Sequence, residues 1–266
     1  MLSRLLPDQL LHGLGQAAGA GALAVAVVLL ARRERIFLGG ELAGALARGL
    51  VQIVAMGSAL ILLLRSPDWT GIPVLLGMLL AAAGIARRRL RGIAGAYGVA
   101  LRAILLGSGL VIAPMTALGV IEPRLSSLIP VGSMIIANSM NSCALALERF
   151  RADVEGNTGR IEAALALGAG PAESVRPYAR AAVEASLLPH LNTLRSLGIV
   201  WIPGLMAGMV LSGSDPVYAA VYQFAVIAMI FAAGGLTSLA GVLFARPRFF
   251  SGAEQLLVRP ARKPGS

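Results

Sequence analysis

The chain has 266 residues, 57% of them hydrophobic and only 14% charged, with a mean hydropathy of +0.78 and a formal net charge of +10. Soluble domains carry about 25% charged residues, so this composition belongs to a membrane protein. The positive charge does not point to nucleic acid, because 4 Tyr, 7 Phe and 2 Trp leave no aromatic platform among the basic residues, and a single cysteine, Cys143, excludes an internal disulfide or CxxC site.

A helix needs about 20 mostly apolar residues to cross the hydrocarbon core. In chain order the candidate spans are Leu14–Ala31, Leu42–Leu64, Gly71–Ala86, Ile93–Val120, Leu128–Leu147, Leu191–Leu211 and Val217–Phe244. The expected fold is therefore all-α: a polytopic helical membrane protein with about seven transmembrane helices, forming one permease domain over residues 1–266. The run after Arg4 leads into arginines rather than a small-residue cleavage site, so no cleavable signal is expected.

Basic residues fix the expected orientation. Arg32–Arg35, Arg87–Arg91, the 148–186 loop and the tail from Arg246 hold 17 of the 23 Lys and Arg, whereas the alternate loops hold three, Arg4, Arg65 and Arg124. By the positive-inside rule those four segments are cytosolic, with the N-terminus outside and the C-terminus inside. The opposite loops are short turns rich in Ser, Pro, Asp and Gly.

The largest polar segment, 148–186, carries Glu162-Ala163-Ala164-Leu165-Ala166-Leu167-Gly168. Gly168 and Gly170 can end one helix and Pro171 suits the first position of the next, with Glu173 in its first turn. The pattern predicts a helix–turn–helix elbow whose small residues fit a groove on a partner, with Glu162 and Arg176 as rim charges. A helix lying on the lipid surface, or a plain linker, are the alternatives.

Polar groups inside spans are costly and mark functional candidates. Arg48 and Gln52 lie one turn apart on the second span, although Arg48 could also snorkel to the interface. On the fifth span, Met134, Asn138 and Asn141 share a face, with Met140 and Cys143 nearby. They read either as a translocation pathway or as hydrogen-bonding glue between helices. Arg102 has no identifiable partner, His190 reads as structural, and Tyr222 and Gln223 read as packing or rim groups. Small-xxx-small pairs at Gly15/Gly19, Gly40/Gly44 and Gly204/Gly208 permit close helix contact. Pro203, before Gly204 and Met206, kinks or breaks the sixth span, and a broken helix near midplane is one way to build a substrate site.

No phosphate-cradling GxxxxGK[ST] loop exists, because the single lysine, Lys263, sits in the tail before Pro264. No catalytic residues are expected, and the chain is expected to bind no cofactor itself. A secondary transporter driven by an ion gradient would need a buried Asp or Glu at mid-depth, and the spans offer none.

Several stretches together resemble the FetB-type (YbbM-like) ABC-transporter permeases. They are Arg48-Gly49-Leu50-Val51-Gln52, 129–140 from Ile129 to Met140, 165–171 from Leu165 to Pro171, 197–208 from Leu197 to Gly208, and Asp215-Pro216 through Tyr222-Gln223. The 162–168 segment itself resembles the coupling loop with which ABC-importer permeases dock on an ATPase. The resemblance implies a bacterial inner-membrane permease, working as a homodimer in lipid and exporting a metal ion, iron foremost. It also implies a cytosolic ATPase partner that holds the ATP and magnesium and is engaged through Glu162, Ala163, Ala164, Gly168, Pro171 and Arg176. Where that family often has Asp and Lys, this chain has Asn192 and Arg195, which removes a hard-metal ligand.

Overall fold

The computed structural model describes residues 6–33, 39–90 and 93–257, and every named element among them is helical. Two compact units can be distinguished, Met1–Ser66 and Pro67–Ser266. The first contains α1 (Leu6–Arg33) and α2 (Gly39–Leu64), which pack against each other. Leu23, Val27, Val51, Ile53 and Leu62 point outward from this pair, as side chains do when the surrounding solvent is hydrocarbon.

The second unit is built from α3 (Gly71–Arg89), α4 (Ala96–Ala117), α5 (Leu125–Gly156), α6 (Thr158–Ala166), α7 (Pro171–Ser174), α8 (Arg176–Ser196), α9 (Gly204–Leu211) and α10 (Pro216–Ala245). Helix α10 is the hub: it packs on α4, α5, α8 and α9, while α3 closes against α4 and α5. Its start is set locally, because Asp215 Oδ1 accepts the backbone N–H groups of Val217 and Tyr218 at 3.0 and 2.9 Å, and Pro216 takes the first helical position. The start of α5 is capped from a distance, by Asp68 Oδ1 accepting from the Leu125 N–H at 3.2 Å.

Two apolar clusters mark the two ends of this unit. One gathers Leu90, Ile93, Phe150, Val154, Val175 and Phe249, and the other gathers Val111, Ile121, Leu128, Val226 and Ile230. At the first end Arg248 Nη1 donates to the Ala94 carbonyl at 2.9 Å, and the rings of Phe150 and Phe249 meet edge-on at 5.1 Å. The α3–α4 turn, the end of α5, the elbow and the segment after α10 therefore share one end. Those are three of the four basic segments read from the sequence; much of the fourth, and the tail beyond 257, lies outside the described residues.

Among the described residues five helices are long and apolar enough to cross a membrane, with Gly15–Ala31 as a shorter apolar stretch. The predicted sixth span, Leu191–Leu211, is not one helix: α8 ends at Ser196, residues 197–203 are non-helical, and α9 has only 8 residues. The predicted fifth span is the middle of a longer helix, since α5 runs 32 residues and its charged end is held by the pairs Arg149–Asp153 and Arg151–Glu155. Such i,i+4 pairs stabilise an exposed helix by a few tenths of a kcal/mol each.

Close helix contact is made by glycines other than those in the sequence pairs. A Cβ on Gly15, Gly19, Gly44, Gly204 or Gly208 would meet nothing within 4 Å, whereas one on Gly107 would collide with the Thr237 hydroxyl and lie 2.7 Å from the Ala233 carbonyl. Gly107 is where α4 and α10 touch. We predict that Gly107→Ala lowers the unfolding free energy in detergent by about 1–3 kcal/mol. The same change at Gly98, where the space is open, is expected to be neutral or stabilising, as measured by thermal melts of both variants.

Candidate functional site

Three features of the second unit carry chemistry or mechanics. The first is the elbow. Helix α6 ends at Ala166, after which the Gly168 N–H donates to the Leu165 carbonyl and the Ala169 N–H to the Ala164 carbonyl, both at 3.0 Å. This is a Schellman turn, and it needs a left-handed residue where Gly168 has φ +90°. The glycine of the 162–168 motif is thus the residue that reverses the chain. Pro171 follows as the first residue of α7, with Glu173 in its only turn.

The elbow is bare on one side. Ile161, Ser174 and Val175 are buried, while Glu162, Ala163, Ala166 and Arg176 are exposed and Leu167 is 89% exposed. Ala164, Ala169 and Pro171 are partly covered. A Cβ on Gly168 would meet nothing within 4 Å. An apolar tip flanked by small residues and one charge of each sign fits a protein groove better than open water.

The second feature is a polar junction where α8 crosses α5 and α10. Ser142 Oγ and His190 Nε2 are 2.7 Å apart, and Ser186 Oγ donates to Ser238 Oγ at 2.8 Å. Ser238 Oγ lies 3.3 Å from the Ser142 carbonyl, which closes the network across the three helices. Gly234 makes room for it, since a Cβ there would sit 2.8 Å from Ser142 Oγ and 3.1 Å from His190 Nε2. His190 directly follows Pro189, which removes one α8 backbone bond. The structural reading of His190 therefore holds, and it has named partners. Ser186 and His190 are four apart and share a face, which is legible in sequence; Ser142 and Ser238 are brought to them only by packing.

The third feature is the break at 197–203. Its chain curls on itself: the Ser196 carbonyl accepts from the N–H groups of Ile199, Val200 and Trp201, and the Gly198 N–H donates to the Trp201 carbonyl at 3.0 Å. Gly198 adopts φ +76°, and the buried Pro203 sets up α9. Ile199 and Val200 are 86% and 83% exposed, Gly204 is exposed and Met206 partly buried. The break lies about 30 Å along α8 from Arg176 at 1.5 Å per residue, and Leu197 packs on the Ile121 cluster.

The polar residues of α5 divide between two faces. Asn141 is exposed and Asn138 partly buried, with Asn138 Nδ2 donating to the Met134 carbonyl at 2.8 Å, while the partly buried Met134 packs against the cluster around Val131 and Ile135. Met140 packs likewise against the other apolar cluster, around Leu147 and Phe150. Arg48 and Gln52 are exposed on α2 of the first unit, and Asn192, Arg195 and Arg102 are exposed in the second. Gln223 is no rim group: it is buried to 1% exposure with neither amide atom hydrogen-bonded, while Tyr222 lies 3.3 Å from the Ser127 hydroxyl. Among the described residues no carboxylate is buried, and no three His, Cys, Asp or Glu residues gather as a metal site.

Residues 14–250 match the profile described as "Uncharacterised protein family (UPF0014)". The chain belongs to the UPF0014 family. A UPF0014 membrane protein of Synechocystis sp. is 34% identical over 251 residues, covering 90% of this chain and 93% of its own. The UPF0014 membrane protein STAR2 of Oryza sativa is 30% identical, with 93% and 87% covered. The "Probable iron export permease protein FetB" of Escherichia coli is 27% identical over 243 residues, with 91% and 93% covered. The FetB-type resemblance read from the motifs is thus shown, and it spans nearly the whole chain. No solved structure matches this chain.

Within this UPF0014 member the junction is the most readily tested part. Ser142→Ala leaves a half-buried imidazole nitrogen without its partner and is expected to cost about 1–3 kcal/mol. Thermal unfolding of Ser142→Ala, His190→Ala and the double variant should give a non-additive cycle.

Proposed function

We infer that the chain is the membrane-spanning permease subunit of an ABC transporter that exports a metal ion, iron foremost, using ATP hydrolysed by a separate ATPase. The single observation that carries this reading is the elbow. It is a reversal of the chain, fixed by the Gly168 turn, that leaves Leu167, Ala163 and Ala166 exposed and Gly168 in open space. Its position at the end of α6 and ahead of α8 makes it a handle on the bundle. The name borne by the Escherichia coli relative supports a permease and iron as cargo.

A stroke at the elbow would pass along α8 to the junction, where Ser142, Ser186, His190 and Ser238 tie that helix to α5 and α10. The cargo face would be Met134, Asn138, Met140 and Asn141 of α5, with Pro203, Gly204 and Met206 from the break. Neutral amide oxygens bind a cation weakly and release it readily, which suits passage rather than storage. Non-helical backbone at membrane depth is tolerated only against protein or a water-filled cavity. The curled, outward-facing 197–203 segment therefore supports a homodimer in which two copies meet around the path.

Leu167→Asp leaves the turn intact and puts a charge on its tip, whereas Gly168→Val forces a β-branched residue into a left-handed conformation costing roughly 1–2 kcal/mol. Both variants should insert normally and lose the ATPase from a tagged pull-down, Leu167→Asp without any change in melting temperature. Full ATPase recovery by Leu167→Asp would reject the docking role. Element-by-element analysis of cells lacking the protein should show iron raised above other metals.

A further inference from the structure

Between the end of α3 and the start of α4 lies an open crevice of about 570 Å³, lined by Ala81, Gly84, Ile85, Arg87, Arg88 and Tyr97. Arg87 and Arg88 are exposed in the last turn of α3, and among the described residues neither has a carboxylate within 4 Å. The crevice contains no acidic residue. Its polarity changes along its length: two guanidiniums and a phenol stand at one end, and Ile85, Gly84 and Ala81 follow within two turns. Gly84 leaves a notch in the helix surface, since a Cβ there would meet nothing within 4 Å, and Ile85 is half exposed beside it.

We propose that this crevice is a binding site for an anionic phospholipid, whose phosphate is held by Arg87 and Arg88 and whose acyl chain lies in the notch at Gly84. Charge complementarity selects the headgroup, because a zwitterionic lipid would bring a cation against two unpaired guanidiniums. The apolar half selects a lipid over free phosphate, which would use only the polar mouth. An interfacial Tyr97 completes the arrangement, with its ring toward the chain and its hydroxyl at headgroup level. Arg248, in the segment after α10, holds the same turn by donating to the Ala94 carbonyl. The site is independent of the transport reading and of which cargo is carried.

The test uses the full chain in zwitterionic detergent, titrated with phosphatidylglycerol, with phosphatidylcholine, or with inorganic phosphate. Lipid retention by native mass spectrometry and the melting temperature are the readouts. Phosphatidylglycerol should be retained and raise the melting temperature, and neither of the other two should. Arg87→Gln and Arg88→Gln should each weaken phosphatidylglycerol about fivefold. Gly84→Leu fills open space and should block the lipid while leaving the lipid-free melting temperature unchanged. Equal retention of phosphatidylcholine, stabilisation by phosphate alone, or undiminished phosphatidylglycerol binding by the Arg87→Gln/Arg88→Gln double variant would each overturn the site. Because retention is read on folded molecules, a variant that melts early still reports.

Discussion

In hydrocarbon every backbone N–H and C=O must find a partner within the protein, and this requirement shapes the chain more than any single contact. It makes the long apolar runs helical whatever their side chains. It also makes each departure from the helix informative, because irregular backbone must be satisfied locally. The elbow satisfies itself through the two bonds around Gly168, and the break does so by folding three N–H groups onto the Ser196 carbonyl. Both are places where the chain leaves the helix and its freed backbone groups are satisfied locally.

Much of this was legible in the sequence. Apolar run length gave most of the helices, since α1, α2, α3, α5 and α10 contain the predicted stretches as their cores, while α4 lies inside the longer predicted stretch Ile93–Val120. Glycine and proline placement gave the elbow closely: Gly168 is left-handed and Pro171 begins α7, as their chemistry requires. Pro203 announced the break, but not its extent. The helix actually stops at Ser196, where Gly198 adopts a conformation that no apolar count reveals. The end of α5 was also missed, because its last turns are charged and are held by salt bridges and by Phe150 rather than by lipid.

What sequence could not supply was long-range. Ser142 and His190 are 48 residues apart, and Ser186 and Ser238 are 52 apart, so nothing local announces their pairing. Gly107 looks like any membrane glycine until Thr237 is found against it. Conversely the small-xxx-small pairs, which are local patterns, lie in open space within the described chain. Periodicity reports which residues share a face, but only packing reports what that face meets. Met134 and Asn138 share one as expected, yet Met134 and Met140 each pack against an apolar cluster, and a different one.

The reach of α5 has a geometric corollary. Its 32 residues make a rod about 48 Å long, against a hydrocarbon thickness of about 30 Å. Several turns must therefore project clear of the acyl chains, carrying the reversal at Gly168 with them like a pier above a waterline. A partner gripping that projection would work in water, with ordinary aqueous specificity. Its grasp can be strong or weak without disturbing the oily interior of the bundle.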